Sequence, residues 1–183
     1  YFPIAHNTFE NNLPKEKVID ILKNLFKEKS LTIIGQNIKY DINILKKYSI
    51  VFETKLEDTM LMSYVLNSSG KHDLETLSVK FLSHTPISYE DVVGKGKDQI
   101  SFADVDLENA SKYACEDADL TFLLFKELSA ELARDDKLDN VYQSIEIKLM
   151  RILTEMEFIG VSVDQDKLKT QSKELSKRIN AIE

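Results

Sequence analysis

Two short clusters hold the side chains best suited to chemistry. The first is Gly35-Gln36-Asn37-Ile38-Lys39-Tyr40-Asp41, directly after the apolar, β-branched run Leu31-Thr32-Ile33-Ile34. Asn37 and Asp41 are four residues apart, so on a helix they share a face. The positive end of a helix dipole keeps a first-turn carboxylate ionised, and open α/β sheets carry their sites at the carboxyl ends of strands. The alternative is that Asn37 caps the helix and Asp41 is a first-turn surface acid. The second cluster is Tyr113-Ala114-Cys115-Glu116-Asp117-Ala118-Asp119. Tyr113 and Asp117 are again four apart and project together. A carboxylate there suits a hard cation such as Mg²⁺, and the phenol can hold and orient a water. The plainer reading is an acidic helix face with Tyr113 half-buried in packing. Spacing alone leaves both alternatives open.

The elements that would position these clusters follow from periodicity and punctuation. Val18, Ile19, Ile21, Leu22, Leu25 and Phe26 recur at three- and four-residue steps, which predicts a helix within 11–29 with Pro14 in its first turn. Residues 31–34 read as a buried strand ended by Gly35, and 37–48 as a helix with Ile38, Ile42 and Leu45 on one face. A second strand is expected around 51–56. Asp58 caps a helix over 59–66, and Asp73 caps another running to Phe81. Residues 84–105, with Pro86, Gly94 and Gly96, form a loop or lid. A long helix is expected over 107–134 and a further one over 140–158. Gly160 stops that helix, 161–163 is extended, and Asp164 starts a last helix. Early alternation of strand and helix followed by helices predicts an α/β core with a helical tail.

The 183 residues suit one domain with a short appendage. Hydrophobic residues are 43% and charged residues 30%, an ordinary globular balance. No apolar run is long enough to span a bilayer, so no membrane association is expected. The opening Tyr1-Phe2-Pro3-Ile4-Ala5-His6 lacks the pattern of a signal peptide. Cys115 alone forms no internal disulfide, which suits a reducing cytoplasm. The three histidines, His6, His72 and His84, lack zinc spacing. The net charge of −7 argues against broad phosphate-backbone binding. Any nucleic-acid contact must be local, or be supported by metal ions or another domain.

Taken together, the two clusters resemble motifs of the 3′–5′ proofreading exonuclease domain of bacterial family A DNA polymerases, the DNA polymerase I type. This is a DEDD-type exonuclease of the tyrosine subclass. The segment 35–41 looks like the second exonuclease motif, with Asp41 as its carboxylate. Tyr113 to Asp117 looks like the third motif in its Tyr-x-x-x-Asp form. Further matches are Tyr1-Phe2-Pro3-Ile4-Ala5-His6, Asp58-Thr59-Met60-Leu61, Leu66-Asn67-Ser68, His72-Asp73-Leu74 and Gly94-Lys95-Gly96-Lys97. Met156 to Asp164 resembles the start of the polymerase domain. The order holds over nearly the whole chain, although each motif alone is weak.

The resemblance implies a metal-dependent nuclease acting on a single-stranded 3′ end of DNA. Two divalent ions, Mg²⁺ or Mn²⁺, would lie about 3.5–4 Å apart beside the scissile phosphate. It assigns Asp41 and Asp117 as metal carboxylates and Tyr113 as the group that orients the attacking water. Gln36, Asn37 and Tyr40 would line the DNA channel. Tyr89 would stack on a frayed base, or else pack on the domain as a loop aromatic. The implied fold is a ribonuclease-H-like mixed sheet with flanking helices. Residues 1–135 would form the exonuclease domain and 136–183 the helical start of the polymerase domain, with the rest of the polymerase chain as a partner.

One part of the pattern is not in the sequence. The family's Asp-x-Glu motif is expected upstream of Tyr1, on the first of two strands that occupy the middle of the sheet. The strings Asp73-Leu74-Glu75 and Asp106-Leu107-Glu108 read instead as helix starts. On this reading the fold is incomplete, with Tyr1 to Ala5 as its third strand and 31–34 as its fourth. Two carboxylates alone predict weak binding of dications and negligible hydrolysis by the chain alone. The unpaired sheet edge predicts aggregation unless further residues, another chain or strand exchange in a homo-oligomer covers it. A decayed or split gene product is a further option. An inactive exonuclease-fold module that holds DNA, a related ribonuclease of the same fold, and an α/β domain of unrelated function are the competing readings.

Overall fold

The apolar run after Ser30 does become a strand. In the computed structural model, which describes residues 1–8 and 10–182, β1 (Thr32–Gly35) pairs in parallel with β2 (Lys55–Asp58). The register matches Thr32 with Lys55 and Gly35 with Asp58. Among the described residues this is a two-stranded parallel sheet. Helix α1 (Lys15–Leu25) precedes it, and α2 (Ile38–Lys46) makes the crossover. Then follow α3 (Thr59–Leu66), α4 (Leu74–Leu77), which continues as a π-helical turn over Ser78–Leu82, and the short α5 (Tyr89–Val93). The long α6 (Leu107–Leu132) packs against β1, α3 and α4. Helix α7 (Asp136–Val141) runs through a π turn, Tyr142–Glu146, into α8 (Ile147–Ile159), and α9 (Gln165–Asn180) ends the described chain.

The core follows from where apolar residues repeat. Leu120, Leu124, Leu128 and Leu132 recur every four residues on α6 and are buried. The last three pack with Met62 of α3, Leu77 of α4 and Tyr142. A second cluster joins Ile38 and Ile42 of α2 to Leu56 of β2 and Met150 of α8. The tail helices therefore complete the core. Helices α7 and α9 bury no residue of their own, and α9 is exposed throughout.

The Asx caps fall where the sequence put them. Asp58, Asp73, Asp106 and Asp164 each accept backbone N–H groups at a helix start. Both Asp-x-Glu strings are thus helix starts. Gly160, at φ +76°, ends α8.

Three expectations need correction. Tyr1 to Ala5 is not a strand. Pro3 has no N–H to give a ladder, and its carbonyl accepts from Leu13 N–H at 2.7 Å, folding the segment back on 11–13. With no strand there, the sheet is parallel rather than mixed. The second strand lies at Lys55–Asp58 rather than at 51–56, because pairing with β1 sets its register. The loop 84–105 contains α5 and 3₁₀ turns at Gly96–Asp98 and Phe102–Asp104. Among the described residues, no helix is long and apolar enough to cross a membrane.

Candidate active site

Strand β1 delivers the first cluster to an open cleft of about 710 Å³. Its carboxyl end supplies Ile34, Gly35 and Gln36. Asp41 reaches the cleft from the first turn of α2, and Tyr113 and Asp117 from α6. Tyr89 and the 86–88 segment form another wall. A Cβ on Gly35 would lie 2.7 Å from Ile38 Cβ, so only glycine lets strand turn into helix this tightly. Three helices, α2, α5 and α6, and a strand end thereby bring Asp41, Tyr89, Tyr113, Asp117 and Gln36 around one space.

Electrostatics make the cleft a place of unpaid negative charge. Burial raises the Asp41 carboxyl above its ordinary value, and the nearby Asp58 carboxylate adds to this. Asp41 still keeps a solvent-accessible surface. Burial also raises Asp117, with Glu116 adding and a hydrogen bond from Tyr113 opposing. Tyr113 is pushed up to about 12, first by burial and then by the Asp117 charge, so it remains a neutral donor at neutral pH. A cation between the two acids would relieve these shifts. The oxygen-only donor set fits Mg²⁺ or Mn²⁺. Among the described residues, however, no three His, Cys, Asp or Glu side chains converge to hold an ion.

Gln36 is fixed at both ends of its amide. It donates to His72 O at 2.7 Å and accepts from Thr59 Oγ1 at 2.5 Å. Asn37 and Tyr40 are not brought into the cleft. Asn37 lines a small separate pocket beside α8, and Tyr40 is 65% exposed. Asn37 stands at the N-cap of α2 in the left-handed region, φ 59°, without a side-chain cap bond. The cap comes from Asp58. Its carboxylate accepts from Asn37 N–H at 3.2 Å and Ile38 N–H at 2.9 Å, and also from Met60 and Leu61 of its own helix. Asp58 thus fixes the helix that carries Asp41. Its local cap was readable from the sequence, but nothing there signals the second one, made across 20 residues.

Tyr89 packs in an aromatic cluster. Its ring centroid is 6.1 Å from Tyr113 and 6.2 Å from Phe102, and those two are 6.0 Å apart. It remains 46% exposed, so its outer part faces the cleft. Asp73 and Glu75 also line the cleft, although Asp73 is engaged as a cap.

Fold and site define an α/β protein with a carboxylate-lined cleft at the end of a parallel strand. The chain belongs to the 3′–5′ exonuclease family of A-type DNA polymerases, whose pattern matches residues 1–133. It is similar along its whole length to DNA polymerase I of Rhizobium leguminosarum, at 42% identity over 19% of that protein. It is likewise similar to DNA polymerase I of Pseudomonas aeruginosa, at 38% identity over all of this chain and 21% of that protein. With DNA polymerase I of Borreliella burgdorferi it shares 39% identity over 93% of the chain and 18% of that protein. The chain spans about a fifth of the length of these curated relatives.

Proposed function

We propose that this chain carries the proofreading centre of a DNA polymerase I: hydrolysis of the 3′-terminal phosphodiester of single-stranded DNA, assisted by divalent metal. The observation that carries the reading is that Asp41, Tyr113 and Asp117, from two helices, line one cleft at the end of β1. Asp41 and Asp117 would hold the metal, which supplies a water of lowered pKa and stabilises the leaving oxygen. Tyr113, neutral and donating, orients a water beside Asp117. Gln36 and Tyr89 flank the strand's path in the cleft, and Asn37 and Tyr40 would meet DNA outside it. The domain is read as ribonuclease-H-like over 1–135, with 136–183 as the helical start of the polymerase domain. The rest of a polymerase chain is its partner, and the cytoplasm is its setting. Strand exchange between copies is a further way to cover the open edge of β1.

Two carboxylates hold dications weakly, so turnover by this chain alone is expected to be negligible. A second reading, a DNA-holding module without hydrolysis, draws on the lack of a three-ligand cluster among the described residues. One experiment separates them. The chain is titrated with a 3′-labelled single-stranded oligonucleotide with and without Mn²⁺, and nucleotide release is followed. The nuclease reading expects Mn²⁺-dependent binding, abolished by Asp41→Ala or Asp117→Ala, with negligible release by the chain alone. Binding indifferent to Mn²⁺ and to both substitutions favours the holding module.

A further inference from the structure

Glu116 adjoins Asp117 on α6, about 100° round the helix, and points to the cleft's rim instead of into it. Its carboxylate is fully engaged. Oε1 meets His84 Nε2 at 2.8 Å, and Oε2 accepts the Ile87 N–H at 2.7 Å. Both partners sit in the segment joining the π turn after α4 to α5. Among the described residues, the other hydrogen bonds of 84–88 run only to neighbours in sequence, Ser78 and Asp91. Among the described residues, Glu116 is therefore this segment's one hydrogen-bonded tie to the helix that carries Tyr113 and Asp117. Pro86, Ile87, Ser88 and Tyr89 form a wall of the cleft. Ser88 starts α5 with a capping box to Asp91, and Tyr89 is its first residue. Fixing Ile87 and Ser88 thus fixes where Tyr89 stands against Tyr113 and Phe102.

We propose that Glu116 is a positioning residue for DNA: it holds the 84–89 wall against α6, so that Tyr89 offers a pre-ordered ring to a base at a single-stranded 3′ end. The inference rests on the nuclease reading above. The physical basis is the cost of ordering. A ring fixed beforehand spares a binding strand the entropy of fixing it, and stacking on an aromatic is tolerant of base identity. The residue acts through Ile87 and Tyr89 and touches no reacting atom.

The test uses the full chain and a fluorescein-labelled oligothymidylate, with Ca²⁺ as a non-turnover ion. Exchange of the Ile87 amide is read alongside. Glu116→Ala is expected to speed that exchange about tenfold and to weaken oligonucleotide binding about five- to tenfold, the scale of one ordinary hydrogen bond. Glu116→Gln keeps an acceptor for the Ile87 N–H and should restore most of both effects. Thermal midpoints should agree across all three proteins. Tyr89→Ala should weaken binding by a similar factor, and adding Glu116→Ala to it should weaken it no further. The proposal is overturned if the amide loosens while affinity holds, if Glu116→Gln binds as poorly as Glu116→Ala, or if the two alanine effects add. Should the wild-type chain not bind the oligonucleotide at all, the nuclease reading fails and this inference with it. Tight binding untouched by Glu116→Ala sinks the inference alone.

Discussion

At the scale of single residues, Asp41 and Asp117 set an electrostatic demand that the protein leaves unmet. Both carboxyls are raised by burial. A raised carboxyl favours the protonated form in the folded state, so its contribution to stability is full below the unfolded pKa, about 4, and is lost as pH rises through the folded value. A bound dication reverses this, because it prefers the ionised acids. The Mg²⁺- or Mn²⁺-induced rise in Tm should therefore be larger at about pH 7 than at about pH 4.5. Calorimetry at both pH values checks this, and an equal shift at both would contradict it. Replacing both acids with Asn should remove the metal-induced shift and stabilise the metal-free chain by up to about 1 kcal/mol, after allowing for solvent screening. Spacing made Asp41, Tyr113 and Asp117 candidates but left the plainer readings open; the family resemblance selected them, and only the fold brings the three to one cleft. Spacing could not find Glu116 or the second role of Asp58, whose partners lie 29 and 20 residues away in sequence.

At the scale of elements, two helix starts hang on one side chain. Asp58 is 1% exposed and accepts from four N–H groups, two on α2 and two on α3. The left-handed Asn37 leaves α2 without a cap of its own. Asp58→Ala should therefore cost more than an ordinary cap, about 2–4 kcal/mol, since buried donors on both helices lose their acceptor. Asp58→Asn keeps one acceptor oxygen and should cost about half of that. Urea denaturation measures both, and a cost below that of one cap would show that α2 is held by other means. Helix starts were the most legible part of this fold, since an Asp before an apolar period is a local signal. Strands were the least legible. Tyr1 to Ala5 has strand-like composition but no partner strand among the described residues, and β2 was displaced toward Asp58 by the register that β1 sets.

At the scale of the whole molecule, the tail divides into a part that belongs to the core and a part that does not. Tyr142, from the π turn between α7 and α8, is fully buried. Its hydroxyl donates to the buried Glu57 at 2.7 Å and accepts the Asp58 N–H at 3.0 Å. It thereby ties the tail to the end of β2, next to the residue that caps the Asp41 helix. Farther along, Arg151 donates to Thr54 O at 3.0 Å, and Lys46 of α2 pairs with Glu155 of α8 at 2.6 Å. Helix α9 offers nothing comparable, and all its residues are exposed. Tyr142→Phe should destabilise the chain by about 1–3 kcal/mol, because Glu57 Oε2 and the buried Asp58 N–H both lose the hydroxyl, although Lys55 still pairs with Glu57 Oε1. Ending the chain at Gly160 should leave the urea midpoint nearly unchanged, within about 0.5 kcal/mol. Ending it at Arg134 should open the cluster of Met62, Leu77 and Leu128 that Tyr142 closes, and the product should unfold or aggregate. A cooperative, wild-type-like transition in the chain cut at Arg134 would mean that the exonuclease core closes without its tail. The hydrogen bonds through Tyr142 would then be incidental to the cleft and not part of what holds it.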